Sequence, residues 1–415
     1  MTESFSTLRI NSDRMLDTFN QLALFGATGD GGVHRTTFSE SHLAARKWFR
    51  EQIENSGFDF KTDGAGNHSA FLSCGHSDMP TLLFGSHLDS VPKGGRFDGA
   101  LGVMAAFEAL RTIKENRINL KLNLEAIDFT DEEGTHLSLF GSSALTGHLH
   151  PDDLKNPYSG REDFTVGLAR AGLAEEGLLQ ASRSKESIAG YLELHIEQGK
   201  RLERAGIDIG VVSAIVGYGS YRMSYVGRAD HAGSTTMEDR LDAGQGVAAF
   251  ILEVREIVMR DFPNCVANVG RIEFAPGASN IVPARADFLL EFRSPDADQL
   301  SRLDLKLMEL AEQKAKQFGL QLIAEPLGKH FPNLMSKEIQ QVFQKSCDVL
   351  GLSNMILASG AIHDAQSLAD VCPIGMIFVP SVDGASHAPR EFTNWGDCVN
   401  GANVLLQTVL RLAAE

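Results

Sequence analysis

The segment from Thr81 to Thr130 constrains the fold more than any other part of this 415-residue chain. A short apolar run, Thr81–Ser86, reads as a buried strand. A glycine-rich turn, HLDSVPKGGRFDG, follows it. Leu101, Met104, Phe107, Leu110 and Ile113 then recur at helical spacing, so a helix begins just after Asp98-Gly99. Leu120 to Thr130 reads as a second strand, with Leu120, Leu122, Leu124 and Ala126 on one side. Strand, helix, strand in this order predicts an α/β fold, a mainly parallel sheet with helices on both faces.

The rest of the chain extends this reading. Residues 38–56 have helical spacing, with Leu43, Trp48, Phe49 and Ile53 as the expected buried stripe. Ile374–Pro380 reads as another buried strand. Between them lies a different pattern. Tyr221–Val226, Val266–Phe274, Ala284–Arg293 and Leu320–Ala324 are strand-like, and 240–260 and 297–318 are helical. This is the β-α-β-β-α-β order of a ferredoxin-like unit. The expected organisation is a catalytic domain in two parts, 1–215 and 329–415, with an inserted lid or dimerisation domain at 216–328. A chain of this length is too long for one ordinary core.

Bulk properties narrow the partners. The net charge of −16 argues against nucleic acid or an anionic membrane surface. Hydrophobic residues at 43% and charged residues at 22% are ordinary for a globular protein. The five cysteines (Cys74, Cys265, Cys347, Cys372 and Cys398) are scattered, and none form a C-x-x-C pair. A disulfide framework is not expected, and a reducing cytoplasm fits. No signal-peptide stretch or membrane-length apolar run is present.

In an open α/β sheet, ligands bind beyond the carboxyl ends of the strands. His87, Asp89 and Asp98 follow the first strand. Asp131, Glu132, Glu133 and Gly134 follow the second. His195 ends Gly190–Leu194, with Glu197 and Gln198 close behind. Ser386 and His387 follow Ile374–Pro380. Taken singly, each has an ordinary explanation, such as a satisfied core histidine or a helix-capping carboxylate. Four sheet ends that all carry imidazoles or carboxylates outweigh that explanation. The mixed nitrogen and oxygen set suits zinc, manganese, cobalt or nickel.

The segments GSHLDSVPKGGRFDG, DFTDEEG, ELHIEQG, GRADHAGSTTM, GASNIVPARADFLLEFRSPD, SGAIHDAQ and PSVDGASHAPRE resemble the N-carbamoyl-L-amino acid hydrolase, allantoate amidohydrolase and β-ureidopropionase family. That family belongs to the dimetal aminoacylase and carboxypeptidase superfamily. The resemblance runs from about residue 10 to the C-terminus. It implies two divalent metal ions per subunit. Asp98 would bridge them, with His87 and His195 on one side and Glu133 and His387 on the other. Asp89 would fix the tautomer of His87. Glu132 would be the general base. His231, from a partner subunit of a homodimer, would stabilise the oxyanion and touch the substrate. Arg293 would take the substrate carboxylate, with Asn280 and Gln198 as further polar contacts and Gly360 allowing close backbone approach.

The implied reaction cleaves the ureido C–N bond of a small N-carbamoyl-L-amino acid, giving the amino acid, ammonia and carbon dioxide. Allantoate or another ureido acid is the alternative substrate. An N-acyl-amino acid hydrolase is a further one, against which ELHIEQG counts. A silent binding protein is disfavoured because every expected ligand position is filled. The chain departs from the family pattern at His136, Leu137, Thr236 and Ile362, where the resemblance puts the substrate.

Overall fold

The computed structural model describes residues 5–74 and 79–414. It divides into two compact units, one of 1–213, 334–357 and 361–415, the other of 214–333 and 358–360.

The first unit is built on a nine-stranded sheet. Its neighbouring strands run Asp59–Thr62, His68–Leu72, Asn123–Phe129, Thr81–His87, Ile188–Ile196, Ile374–Val379, Ile209–Ile215 and Asn333–Leu334, with Asn354–Ser359 paired to Ile209–Ile215. The central pairs are parallel, and antiparallel strands flank them. Both faces are covered. Leu82, Phe84, Leu192, Leu194 and Ile377 share one cluster with the helices Ala100–Glu115, Lys337–Leu350 and Trp395–Ala414. The short helices Phe140–Thr146 and Ala365–Leu368 pack on central strands as well. Strands covered on both faces read as continuous apolar runs, which is why Thr81–His87 was legible.

Register decides where the site falls. His87 stands opposite Phe129, and His195 opposite Phe378. The carboxyl ends of four adjacent strands therefore lie along one rim.

Three expectations need correction. The second strand starts at Asn123, not Leu120, and all of Asn123–Phe129 is buried, so its one-sided alternation was not the cause. Asn123 anchors the strand start through Cys74 N–H and the Met79 carbonyl. The helix Glu40–Asn55 buries His42, Ala45, Arg46, Phe49 and Ile53, while Leu43 and Trp48 are only half-buried. Arg46 joins the buried face because its guanidinium pairs with buried Asp128 at 2.7 Å. Hydrophobicity counting cannot anticipate a buried ion pair.

The second unit is a four-stranded antiparallel sheet, ordered Gln321–His330, Gly217–Val226, Arg285–Ser294 and Val266–Ala275. Strict alternation along Arg285–Ser294 buries Ala286, Phe288, Leu290 and Phe292 against the helices Ala243–Asp261 and Ala297–Gln317. The last strand is longer than the expected Leu320–Ala324. It continues past Pro326, where the register shifts. Proline is tolerated there because this strand forms an edge. Among the described residues, no helix is long and apolar enough to cross a membrane.

Candidate active site

The loop after Thr81–His87 returns to its own strand end. Gly99 makes this possible. Its φ is 62°, and a Cβ there would lie 2.3 Å from the His87 ring. Only glycine fits that approach. Asp98 is thereby delivered beside two histidines. Its Oδ1 lies 3.1 Å from His195 Nε2 and 3.6 Å from His87 Nε2. Its Oδ2 faces the other way, 3.4 Å from His387 Nε2, which in turn lies 3.5 Å from Glu133 Oε2. One carboxylate thus joins two donor sets, His87–Asp98–His195 and Asp98–Glu133–His387.

The imidazoles are oriented for ligation. His195 Nδ1 contacts the Ile196 carbonyl at 3.0 Å, and His87 Nδ1 the Asp89 carbonyl at 3.1 Å. Donation of Nδ1–H to a carbonyl leaves Nε2 as the atom that faces the donor set, free to ligate in the neutral ring. The expectation for Asp89 is corrected here. Its main-chain oxygen holds the His87 tautomer, while its carboxylate stands 3.7 Å from Nδ1. That carboxylate instead accepts the N–H groups of Glu132 and Glu133, at 3.3 and 3.2 Å. It orients the acidic pair.

The donors suit a metal. Among the described residues, the ion-pair partners of Asp98, Glu132 and Glu133 are imidazoles alone. Burial, and then mutual repulsion with Glu133, pushes the Glu132 carboxyl well above its usual range. Burial and then Asp98 do the same to Glu133. Burial opposes a charge on His195, yet Asp98 outweighs it and raises the imidazole to about 9. Among the described residues, Glu133 Oε1 is buried without a hydrogen-bond partner. A surplus of buried negative charge with an unpaired oxygen fits a divalent cation. Glu132 Oε2 sits 3.6 Å from His87 Nε2, at the edge of the set.

Glu391, Asp131 and Glu193 support the site without having a role assigned from sequence, whereas His363 was expected in a supporting role. Glu391 accepts Phe97 N–H and Asp98 N–H at 2.9 and 3.0 Å, and the Ser386 hydroxyl at 3.0 Å. Asp131 accepts three successive N–H groups, from Thr135, His136 and Leu137. Its own φ is 57°, and Gln198 and His387 also lie in the left-handed region. Such backbone costs about 1–3 kcal/mol per residue and concentrates at functional sites. His363 packs edge-on against His195, with ring centroids 4.5 Å apart, and Glu193 is held by Ser86 and Ala365 N–H. Glu391 ends the PSVDGASHAPRE motif and Asp131 opens DEEG, but nothing in a motif says which loop its carboxylate will hold.

The expected substrate contacts have varied surroundings. Gln198 Nε2 donates to Asp98 Oδ2 at 2.8 Å and contacts Ser386, so its amide nitrogen is committed to the donor set, while its Oε1 is buried with no hydrogen-bond partner among the described residues. In the second unit, exposed His231 accepts Gly233 and Ser234 N–H at Nδ1, which leaves Nε2 as the donor. A backbone bridge from His231 to Ile281 and a bond from Ala232 N–H to the Asn280 carbonyl set Asn280 beside it. Arg293 pairs with Glu291 at 2.8 Å and donates to the Gly360 carbonyl at 2.7 Å. A Cβ on Gly360 would meet no atom within 4 Å, so close packing does not explain that glycine. His136 and Leu137 are buried, His136 stacking on Phe38 and Leu137 joining the cluster of Phe38, Phe140 and Phe164. Thr236 bonds Asp239, and Ile362 is 39% exposed.

A sheet with two joined metal-donor sets at its carboxyl rim defines a class of metal-dependent hydrolases. The sequence profile of peptidase family M20/M25/M40 matches residues 83–411, and the chain belongs to that family. Within it, the chain is similar to amidohydrolases, enzymes of non-peptide C–N bonds. It is 36% identical to the N-carbamoyl-L-amino acid amidohydrolase of Geobacillus stearothermophilus, over 97% of this chain and 99% of the relative. It is 31% identical to the allantoate amidohydrolase of Bacillus subtilis, over 96% and 97%. A crystal structure of a hydantoinase/carbamoylase family amidase from Burkholderia multivorans superposes with a TM-score of 0.90 at 30% identity, covering 99% of both chains.

Proposed function

We propose that the protein hydrolyses the ureido C–N bond of N-carbamoyl-L-amino acids, releasing the amino acid, ammonia and carbon dioxide. The observation that carries this reading is Asp98, whose two oxygens face separate His/Glu donor sets with Glu132 at their edge. Two divalent ions, zinc or else manganese, cobalt or nickel, are the proposed occupants. His87, His195 and Asp98 hold one, and Asp98, Glu133 and His387 hold the other. The chemistry such ions supply is Lewis acidity toward a carbonyl and toward water.

The remaining roles belong to this chain's own groups. Glu132 takes the proton of the attacking water and passes it to the leaving nitrogen. Its place at the edge of the donor sets, 3.6 Å from His87 Nε2, suits that exchange. His231 offers Nε2–H to the developing oxyanion. Its place in a loop of the second unit, held by Arg240 bonds to the Ala232 and Thr235 carbonyls, suits donation to the site of a partner subunit in a homodimer. Arg293, oriented by Glu291 and Gly360, receives the substrate carboxylate. Asn280 and the Oε1 of Gln198 complete the polar contacts.

The test is ammonia release by metal-loaded protein on N-carbamoyl-L-amino acids, N-carbamoyl-β-alanine and allantoate, beside a chelated control. N-acetyl-amino acids are followed by amine release. Chelator-sensitive turnover of the carbamoyl amino acids supports the proposal. Preference for allantoate or for acetyl compounds reassigns the substrate.

A further inference from the structure

A cavity of about 590 Å³ in the first unit contains none of the donor residues above. Its walls come from the helix Glu40–Asn55, the strands Asp59–Thr62 and His68–Leu72, and the turn after the helix Arg161–Ala171. Four cationic side chains line it: Arg46, Lys47, Arg50 and Arg170. Three lie on one helix at positions i, i+1 and i+4, and Arg170 comes from another. In a chain of net charge −16, this convergence is the opposite of the average surface.

The charges are only partly compensated. Arg46 is paired with Asp128. Arg50 meets Glu54 at 2.8 Å and lies over the Phe60 ring at 4.7 Å. Among the described residues, the Arg170 guanidinium donates to the Phe38 carbonyl, a neutral group, and has no ion-pair partner. Among the described residues, Lys47 has no ion-pair partner. Asp63 is the one carboxylate in the lining, and it is already occupied by the N–H groups of Ala65 and Asn67 and by the Asn67 amide. The local field is positive. His68, in the wall, registers it: burial first, then Arg46 and Arg50, hold its imidazole well below the usual range. Gly64 and Gly177 press together at this wall, where a Cβ on Gly64 would fall 2.0 Å from the Gly177 carbonyl oxygen. Phe60, Leu43 and Leu173 supply apolar surface beside the cations.

The cavity is connected to the catalytic rim. Arg46 Nε donates to Asp128 Oδ2 at 2.7 Å, and Asp128 Oδ1 accepts Leu88 N–H at 2.9 Å. Leu88 lies between His87 and Asp89. Arg46 also holds Thr130 Oγ1 at 2.9 Å, two residues before Glu132.

We propose that this cavity is a binding site for a phosphate-type oxyanion, free or as an ester, and that its occupancy is felt at the catalytic loops through Arg46 and Asp128. Lys47, Arg50 and Arg170 contact the anion, and a fork of arginine donors matches the tetrahedral oxygens. An ester would lay its apolar part along Phe60 and Leu173.

The experiment is calorimetric titration of the metal-loaded protein with inorganic phosphate and with phenyl phosphate, at constant ionic strength set by chloride. The wild type is compared with Lys47→Ala/Arg170→Gln, a variant outside the metal-donor set. Saturable binding that weakens at least ten-fold in the variant supports the site. Tighter binding of phenyl phosphate identifies an ester as the ligand class, and equal binding a free anion. Absence of saturable binding, or binding unchanged in the variant and so located elsewhere, overturns the site. For the coupling, saturating phosphate should change kcat or KM at least two-fold in the wild type and leave the variant unaffected. Equal responses, or none, overturn it.

Discussion

Glu391 and Asp98 are 293 residues apart in sequence, yet the Glu391 carboxylate accepts the Asp98 main-chain N–H at 3.0 Å. The same oxygen accepts Phe97 N–H, and the other oxygen accepts the hydroxyl of Ser386, next to His387. Glu391 therefore ties together the two loops that bring Asp98 and His387 face to face. Gly95 leaves room for it, since a Cβ there would fall 2.0 Å from the Glu391 carboxylate. Glu391→Ala is expected to weaken metal binding about 10–100-fold, the usual effect of losing an outer support. Glu391→Gln, which keeps an acceptor oxygen, should lose less. Competition with a chromogenic chelator measures both, and an unchanged affinity in Glu391→Ala would remove Glu391 from the support of the site.

Glu132 stands beside the donor sets, and the proton-shuttle role separates it from the ligands. Glu132→Gln should retain metal stoichiometry and thermal stability while kcat falls by about 10²–10⁴. Metal analysis and initial rates on the same preparation decide this. A variant that turns over normally places the base elsewhere.

Gly99 combines a left-handed backbone with a close approach to His87. Gly99→Ala should cost about 1–2 kcal/mol from backbone conformation alone. It should also displace the His87 ring, so metal affinity falls along with stability. Chemical denaturation in chelator isolates the first effect, and metal titration reads the second.

His42 is buried with its Nδ1 accepting Phe38 N–H at 3.0 Å. Burial, and then Arg46, hold its imidazole well below the usual value of 6.5. The fold therefore keeps it neutral, while the unfolded chain takes up a proton below about pH 6.5. Its contribution to stability is fully present above that pH and is lost as pH falls below it, by about 1.4 kcal/mol per pH unit. His42→Asn retains an acceptor but cannot titrate. Urea denaturation at pH 7 and pH 5.5 should show a smaller acid loss in the variant than in the wild type. Equal losses would show that other groups carry the acid limb.

The sequence by itself determined the strand ends and the residue types that stand there. Thr81–His87 is a continuous apolar run because both faces are covered, and the chemistry begins where that run stops, at His87. Arg285–Ser294 alternates because one face is covered, so the side chains that face the core were readable as Ala286, Phe288, Leu290 and Phe292. These are local periodicities, written in the order of the chain. The tertiary structure alone decided that Asp98 Oδ1 faces His195 and Oδ2 faces His387. It also decided that Asp89 holds His87 through a carbonyl rather than a carboxylate, that Gln198 turns to Asp98, and that Arg46 joins the buried face of its helix. Each is a contact between groups far apart in sequence, or a choice between two atoms of one residue. Such contacts follow from parallel register and loop closure, which place side chains by geometry that no local spacing encodes.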